Sequence, residues 1–234
     1  MRDERSQDSD AKSGPGSAPG CACAVGNEFG ERMARQDRDA YHRHGPDATT
    51  RWLIDGLRGG AGGEVDGLTV LDIGAGIGAV HLELLAAGAG LAVDVDGSPA
   101  YVTAAIEEAR RQGVDDRVRH VVGDFVALAP EIAEADLVAL DRVVCCYPDM
   151  QELVARSIRR TRLRYGLVYP RDSGWIRFGG RIFNAANRLF RQRTRFYIHP
   201  TSEVESILAD AGFRRSFLRT TWFWQVAVFE RAAS

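Results

Sequence analysis

Val70-Leu71-Asp72-Ile73 runs directly into Gly74-Ala75-Gly76-Ile77-Gly78, an apolar run that ends in an acid and three alternating glycines. A strand buried in a parallel sheet reads as a continuous apolar run. Glycines straight after it let the backbone turn sharply and approach a ligand where a Cβ would collide. This junction therefore predicts an α/β fold whose first strand delivers a ligand-binding loop. Asp72 narrows the ligand, because a carboxylate at the mouth of that strand repels a pyrophosphate and attracts an ammonium group.

The glycines alone leave the ligand open. Gly74, Gly76 and Ala79 also satisfy the Ala-ended dinucleotide fingerprint. The next contact is expected about 20 residues on, where an acid at the end of the second strand holds ribose hydroxyls. Gly90-Leu91-Ala92-Val93-Asp94-Val95-Asp96 supplies that strand, with Asp96 assigned to the ribose and Asp94 as the alternative. Gly97-Ser98-Pro99 follows, Ser98 fitting an N-cap and Pro99 the first helical position. A nicotinamide dinucleotide and an adenosyl sulfonium both require this acid.

The third strand separates them. Arg119-His120-Val121-Val122-Gly123 leads into Asp124-Phe125, an acid and an aromatic at a strand end. Here the chain resembles the class I S-adenosylmethionine-dependent methyltransferases, over roughly residues 28 to 230. The resemblance implies that Asp124 accepts a hydrogen bond from the adenine amine and that Phe125 packs on the ring. It places the methionine end on Asp72 and the loop of Gly74, Ala75, Gly76 and Gly78, and the ribose on Asp96 with Gly97 and Ser98. Asp141 and Arg142 join the cofactor set, and Tyr41 folds over the cofactor carboxylate.

The element order agrees. Strands are expected near 68–73, 90–96, 118–123, 136–141 and 164–169, with helical patterns between most of them. A capped helix from about Thr201 to Ala211 follows, then two strands, Ser216 to Thr220 and Trp222 to Phe229, as an antiparallel pair. The expected fold is α/β: a Rossmann-like, seven-stranded, mostly parallel sheet with an antiparallel C-terminal hairpin and helices on both faces. A dehydrogenase of this length would more naturally keep alternating. Residues 1–26, rich in Ser, Gly, Pro, Asp and Ala, are expected to be a disordered tail. Residues 27–63 form an N-terminal helical cap, and 64–234 the methyltransferase domain with a lid-like insertion at 170–198.

Ligands of open α/β sheets bind beyond the C-terminal ends of the strands. Tyr147, after the fourth strand, and His199, before the last long helix, are the candidate catalytic residues. His199 is the expected general base if the acceptor must lose a proton, and Tyr147 orients the acceptor or packs over the cofactor. Between them, residues 171 to 195 hold Arg171, Arg177, Arg181, Arg188, Arg191, Arg193 and Arg195 against one acid, Asp172. Ile182, Phe183, Ala186, Leu189 and Phe190 make an apolar stripe at helical spacing there. The expectation is a lid helix packed on the domain by that stripe. A flap gripping an anionic, hydrophobic substrate and a helix resting on a membrane surface are the alternatives. The back half is loosely similar to the magnesium-protoporphyrin O-methyltransferases, in Tyr147-Pro148, the arginine-rich insertion and Tyr197-Ile198-His199; Cys145-Cys146 departs from that pattern.

Composition removes other classes. A net charge of −2 gives no bulk attraction to nucleic acid. No run approaches the roughly 18 apolar residues of a membrane span, and Met1 to Asp10 is polar rather than a secretory signal. Four cysteines, Cys21, Cys23, Cys145 and Cys146, are too few for a disulfide framework, and no C-x-x-C or H-x-x-H spacing supports a metal. The chain is therefore expected to be a cytoplasmic, S-adenosylmethionine-dependent methyltransferase acting on a small organic molecule, with oxygen as the acceptor atom and no metal. The rival readings are an NAD(P)-dependent oxidoreductase and a non-catalytic protein that keeps the cofactor fold as a scaffold.

Overall fold

A computed structural model of the chain describes residues 30–60, 63–189 and 196–232. The N-terminal tail with Cys21 and Cys23, and the stretch from Phe190 to Arg195, lie outside the described residues. Two helices, α1 (Glu31–His44) and α2 (Ala48–Leu57), precede β1 (Thr69–Ile73), α3 (Ala79–Ala86), β2 (Leu91–Asp96), α4 (Pro99–Gln112) and β3 (Val118–Val122). The chain continues through α5 (Phe125–Leu128), β4 (Ala135–Asp141), α6 (Met150–Ile158), β5 (Thr161–Pro170), α7 (Gly174–Leu189), α8 (Thr201–Asp210), β6 (Phe213–Thr220) and β7 (Trp224–Arg231).

The strands form one seven-stranded sheet in the order β3-β2-β1-β4-β5-β7-β6. The first five pair in parallel, and β7 inserts antiparallel between β5 and β6. This is the expected α/β, Rossmann-like sheet with its antiparallel hairpin. The chain order reverses between β1 and β4, so the loops after these two strands flank a crevice at the switch point.

Alternating side chains divide the core between the two faces of the sheet. On one face Leu71, Ile73, Val138, Leu140, Leu167 and Phe229 pack with Leu153 and Val154 of α6 and Val204 and Leu208 of α8. On the other, Val70, Leu137, Val168 and Val228 pack with Leu53 and Leu57 of α2 and with Val80 and Leu84 of α3. Helix α2 approaches the sheet closely because β5 offers Gly166 beneath it; a Cβ there would lie 2.5 Å from Leu53 Cδ1.

The hairpin turns later than its sequence suggested. Trp222 and Phe223 are not strand residues: the Thr221 hydroxyl accepts from Phe223 N and Trp224 N at 3.2 and 2.8 Å, closing a turn through them. Strand β6 also begins earlier, at Phe213, whose ring is buried. No helix among the described residues is long and apolar enough to cross a membrane.

Candidate functional site

Beyond the C-terminal ends of β1, β2 and β4 lies a cavity of about 800 Å³, within the range of small-molecule and cofactor sites. The loop after β1 forms its floor. Gly74, Gly76 and Gly78 all take positive φ (64°, 59° and 88°), the left-handed region that excludes most side chains. At Gly74 the space is closed as well, since a Cβ would sit 2.6 Å from Val143 Cγ2. Gly74, Ala75 and Gly76 line the cavity, whereas Gly78 caps α3 behind it.

Asp96 ends β2 at the cavity wall, 9% exposed. Its Oδ2 accepts from Gly76 N at 2.9 Å and its Oδ1 from Ser98 N at 2.7 Å, so one carboxylate ties the β1 loop to the β2 loop. Burial pushes its pKa up to about 6, against the pull of those two N–H groups. Gly97 and Ser98 line the same wall, and Ser98 caps α4. Asp124 and Phe125 stand opposite, after β3. The Tyr147 hydroxyl donates to both Asp124 oxygens at 3.1 Å, which joins the fourth-strand loop to the third.

The end of β4 forms a second polar cluster. Arg142 holds a positive φ of 63° in a non-glycine residue, a conformation that costs of order 1 kcal/mol or more. Its guanidinium contacts Asp141 Oδ1 at 2.9 Å, Asp47 Oδ2 at 2.8 Å and Thr50 Oγ1 at 3.1 Å. Burial disfavours the arginine charge, but Asp141 and Asp47 outweigh it and its pKa moves up. Burial likewise raises Asp141, against the opposing charge of Arg142. The N-terminal helices complete the wall with Asp37, Tyr41, His44, Asp47 and Thr50. The Tyr41 hydroxyl donates to Glu83 at 2.9 Å, and burial raises its pKa to about 12.

Asp72, the alternative acid Asp94 and His199 are placed elsewhere. Asp72 is fully buried and does not line the cavity. Its Oδ2 lies 3.0 Å from His81 Nδ1 and accepts from His81 N at 3.3 Å. It shares a face of β1 with Val70, so its carboxylate meets α3 rather than the cavity. A second pair lies beside it, His120 Nδ1 at 2.7 Å from Asp94 Oδ2, with the two imidazoles 6.3 Å apart. Asp94, the alternative ribose ligand, is spent in that pair and also lies outside the cavity. His199 faces a separate small pocket with Pro148, Met150 and Glu203, and burial lowers its pKa. The cavity's histidine is instead His44, at the end of α1, which no motif in the sequence marked. Asp47 and Thr50 were likewise missed; the Asp47 carboxylate caps α2, accepting from Thr49 N and Thr50 N.

The residues present fit an adenosyl sulfonium cofactor. The loop gives close backbone approach, Asp96 and Asp124 stand at the ends of β2 and β3, and acids outnumber arginines along the wall. The sheet order is that of the class I S-adenosylmethionine-dependent methyltransferase fold. Residues 70–163 match the profile of the methyltransferase domain family. The chain is 27% identical over 156 residues to ribosomal protein L11 methyltransferase of Enterobacter sp. (strain 638), a match covering 66% of this chain and 46% of that protein. The chain thus spans about half the length of that curated relative. Magnesium protoporphyrin IX methyltransferase from Synechocystis PCC 6803, solved with S-adenosylhomocysteine, superposes with a TM-score of 0.68 at 20% identity, covering 91% of this chain and 100% of that one. A geranyl diphosphate methyltransferase solved with its diphosphate and sinefungin superposes at 0.60 and 18% identity, covering 79% and 77%. The chain thus has the fold of the class I S-adenosylmethionine-dependent methyltransferases, and its residues 70–163 resemble the methyltransferase domain.

Proposed function

We propose that this chain transfers the methyl group of S-adenosylmethionine to a small organic acceptor, with oxygen as the acceptor atom. The observation that carries this reading is the charge of the cavity. Asp37, Asp47, Asp96, Asp124 and Asp141 line it against Arg51 and Arg142. Such a wall attracts a sulfonium and an ammonium and repels a pyrophosphate, which also disfavours the dinucleotide reading. Bound there, the cofactor supplies a methyl group already activated on a cationic sulfur.

The chain's own residues then do three things. Asp96 accepts the ribose hydroxyls, and Asp124 with Phe125 receives the adenine. Tyr147, held on Asp124, and Cys146 shape the side on which an acceptor enters. Arg142, between two carboxylates, keeps a donor for a ligand carboxylate while remaining charged. Most of the rate then comes from holding the acceptor in line, about 3–3.5 Å from the methyl group. A hydroxyl acceptor must also lose a proton, and His44 serves this better than His199 because it lines the cavity.

Calorimetric titration with S-adenosylhomocysteine beside NAD⁺ and NADP⁺ tests the cofactor half, and binding of a nicotinamide dinucleotide instead would overturn it. A panel of carboxylate and phenol acceptors with methyl-labelled cofactor tests the acceptor half. Base-labile or phenolic ether products are expected, and label recovered only on nitrogen or carbon would refute oxygen. His44→Ala should lower turnover at least about tenfold with unchanged S-adenosylhomocysteine affinity; full turnover removes the proposed base.

A further inference from the structure

Helix α7 presents three distinct stripes. Ile176, Gly180 and Asn184, four residues apart, face the protein: Ile176 is buried, and a Cβ on Gly180 would lie 2.8 Å from Ile198 Cδ1. The Asn184 amide bonds both backbone groups of Phe196, donating to its O at 2.7 Å and accepting from its N at 2.8 Å. The apolar stripe expected to pack on the domain is therefore not the packed one. Trp175, Phe178, Ile182 and Leu189 share another face at helical spacing and are 57%, 65%, 55% and 78% exposed. Arg177, Arg181 and Arg188 make a third stripe beside it, and α7 contains no acid.

A second element joins this surface. Trp222, in the β6–β7 turn, is 71% exposed and stacks on Trp175 with ring centroids 5.6 Å apart. Two segments distant in sequence thus place indoles together on the outside of the molecule. None of these five apolar side chains lines the cofactor cavity. Arg177 is paired with Asp172, but Arg181 and Arg188 are exposed, and the sequence goes on to Arg191, Arg193 and Arg195, outside the described residues.

We propose that α7 and the β6–β7 turn together form a docking surface for an anionic lipid bilayer. Charge selects this occupant. A second copy of the chain would bring one arginine stripe against another, whereas anionic headgroups neutralise it. Shape agrees: a convex helix with apolar residues on one side and arginines flanking them lies in the plane of an interface, its aromatics reaching the acyl boundary. Tryptophan suits that depth, one edge apolar and its N–H wet. This inference is independent of the methyl acceptor.

The test is co-sedimentation of the full chain with phosphatidylcholine vesicles, with and without phosphatidylglycerol. Binding should be at least about tenfold stronger on the anionic vesicles and fall as salt rises. Phe178→Asp with Ile182→Asp, and separately Arg181→Glu with Arg188→Glu, should each weaken it about tenfold or more while S-adenosylhomocysteine affinity stays unchanged. Should the helix variants lose that affinity by misfolding, Trp222→Asp, in a turn, must still reduce vesicle binding. Equal binding to both vesicles, no binding to either, or binding that survives these substitutions would overturn the proposal. So would a lipid-free dimer, seen by sedimentation velocity, that Phe178→Asp dissolves; the occupant would then be a second copy.

Discussion

The loops after β1 to β3 and the rim built from α7 and the β6–β7 turn spend their side chains in opposite ways. Around the loops, polar groups are tied to one another: Asp96 to two backbone N–H groups, Asp124 to Tyr147, Asp72 to His81 and Asp94 to His120. At the rim, large apolar groups stand in solvent and the polar bonds run mainly to the backbone. A cofactor of fixed shape rewards a preorganised wall, because bonds already made need not be ordered on binding. A surface that meets a fluid or variable partner needs only area and charge. The contrast agrees with the proposed nucleoside site in the first region and sets the second apart from it.

The sharpest break of this comparison is at Asp72. Asp72→Ala should cost about 3–5 kcal/mol of stability, since it leaves a buried imidazole without its partner. Burial works against protonation of His81, but the bond and charge of Asp72, aided by Asp94, outweigh it and raise its pKa. Denaturant unfolding measures the loss, and a change under about 1 kcal/mol would show the pair to be weakly coupled to folding. Asp96→Ala should instead weaken S-adenosylhomocysteine binding by roughly 1–3 kcal/mol, the cost of lost hydrogen bonds at a buried site. Unchanged affinity in calorimetry would remove the ribose assignment.

The pH dependence of Asp96 gives a smaller, signed effect. Its folded pKa, about 6, lies above the ordinary 3.8. The folded state therefore holds the proton more tightly, so its contribution to stability is fullest below pH 3.8 and is lost as pH rises to about 6. The loss is at most about 3 kcal/mol. Asp96→Asn should remove it, read as a flatter dependence of melting temperature on pH across that window. Ligand binding has the opposite sign: affinity should weaken as pH falls below about 6, because a protonated Asp96 accepts hydroxyl donors poorly. The smallest effect belongs to the rim. Trp222→Ser should change stability by less than about 0.5 kcal/mol, as expected where a side chain buries little. A large drop in melting temperature would show that the Trp175–Trp222 stack supports the fold.

The sequence by itself determined the sheet and much of the cavity wall. Apolar runs of strand length followed by glycine or by an acid and a cap specify where the chain turns, because glycine admits positive φ freely and a capping side chain satisfies the first N–H groups of the next helix. Asp96-Gly-Ser-Pro99 was legible for that reason, its acid at a strand tip and its serine at a helix start. Tertiary structure alone decided which acid reached the cavity. Asp72 is in register with Asp94, two residues before Asp96, so all three acids share one face of the sheet. Asp72 and Asp94 lie inside their strands and are buried in pairs with His81 and His120, whereas Asp96 ends β2 and opens into the cavity. Only the packing of α3 over the sheet shows how far along that face burial extends. The same holds for histidine: His199 precedes a helix in a promising segment but is turned into a separate pocket, while His44 reaches the cavity because α1 folds over it. Helix α7 completes the point, since periodicity marks a stripe as apolar, but only the contacts of Ile176, Gly180 and Asn184 show that a different stripe is the one that packs.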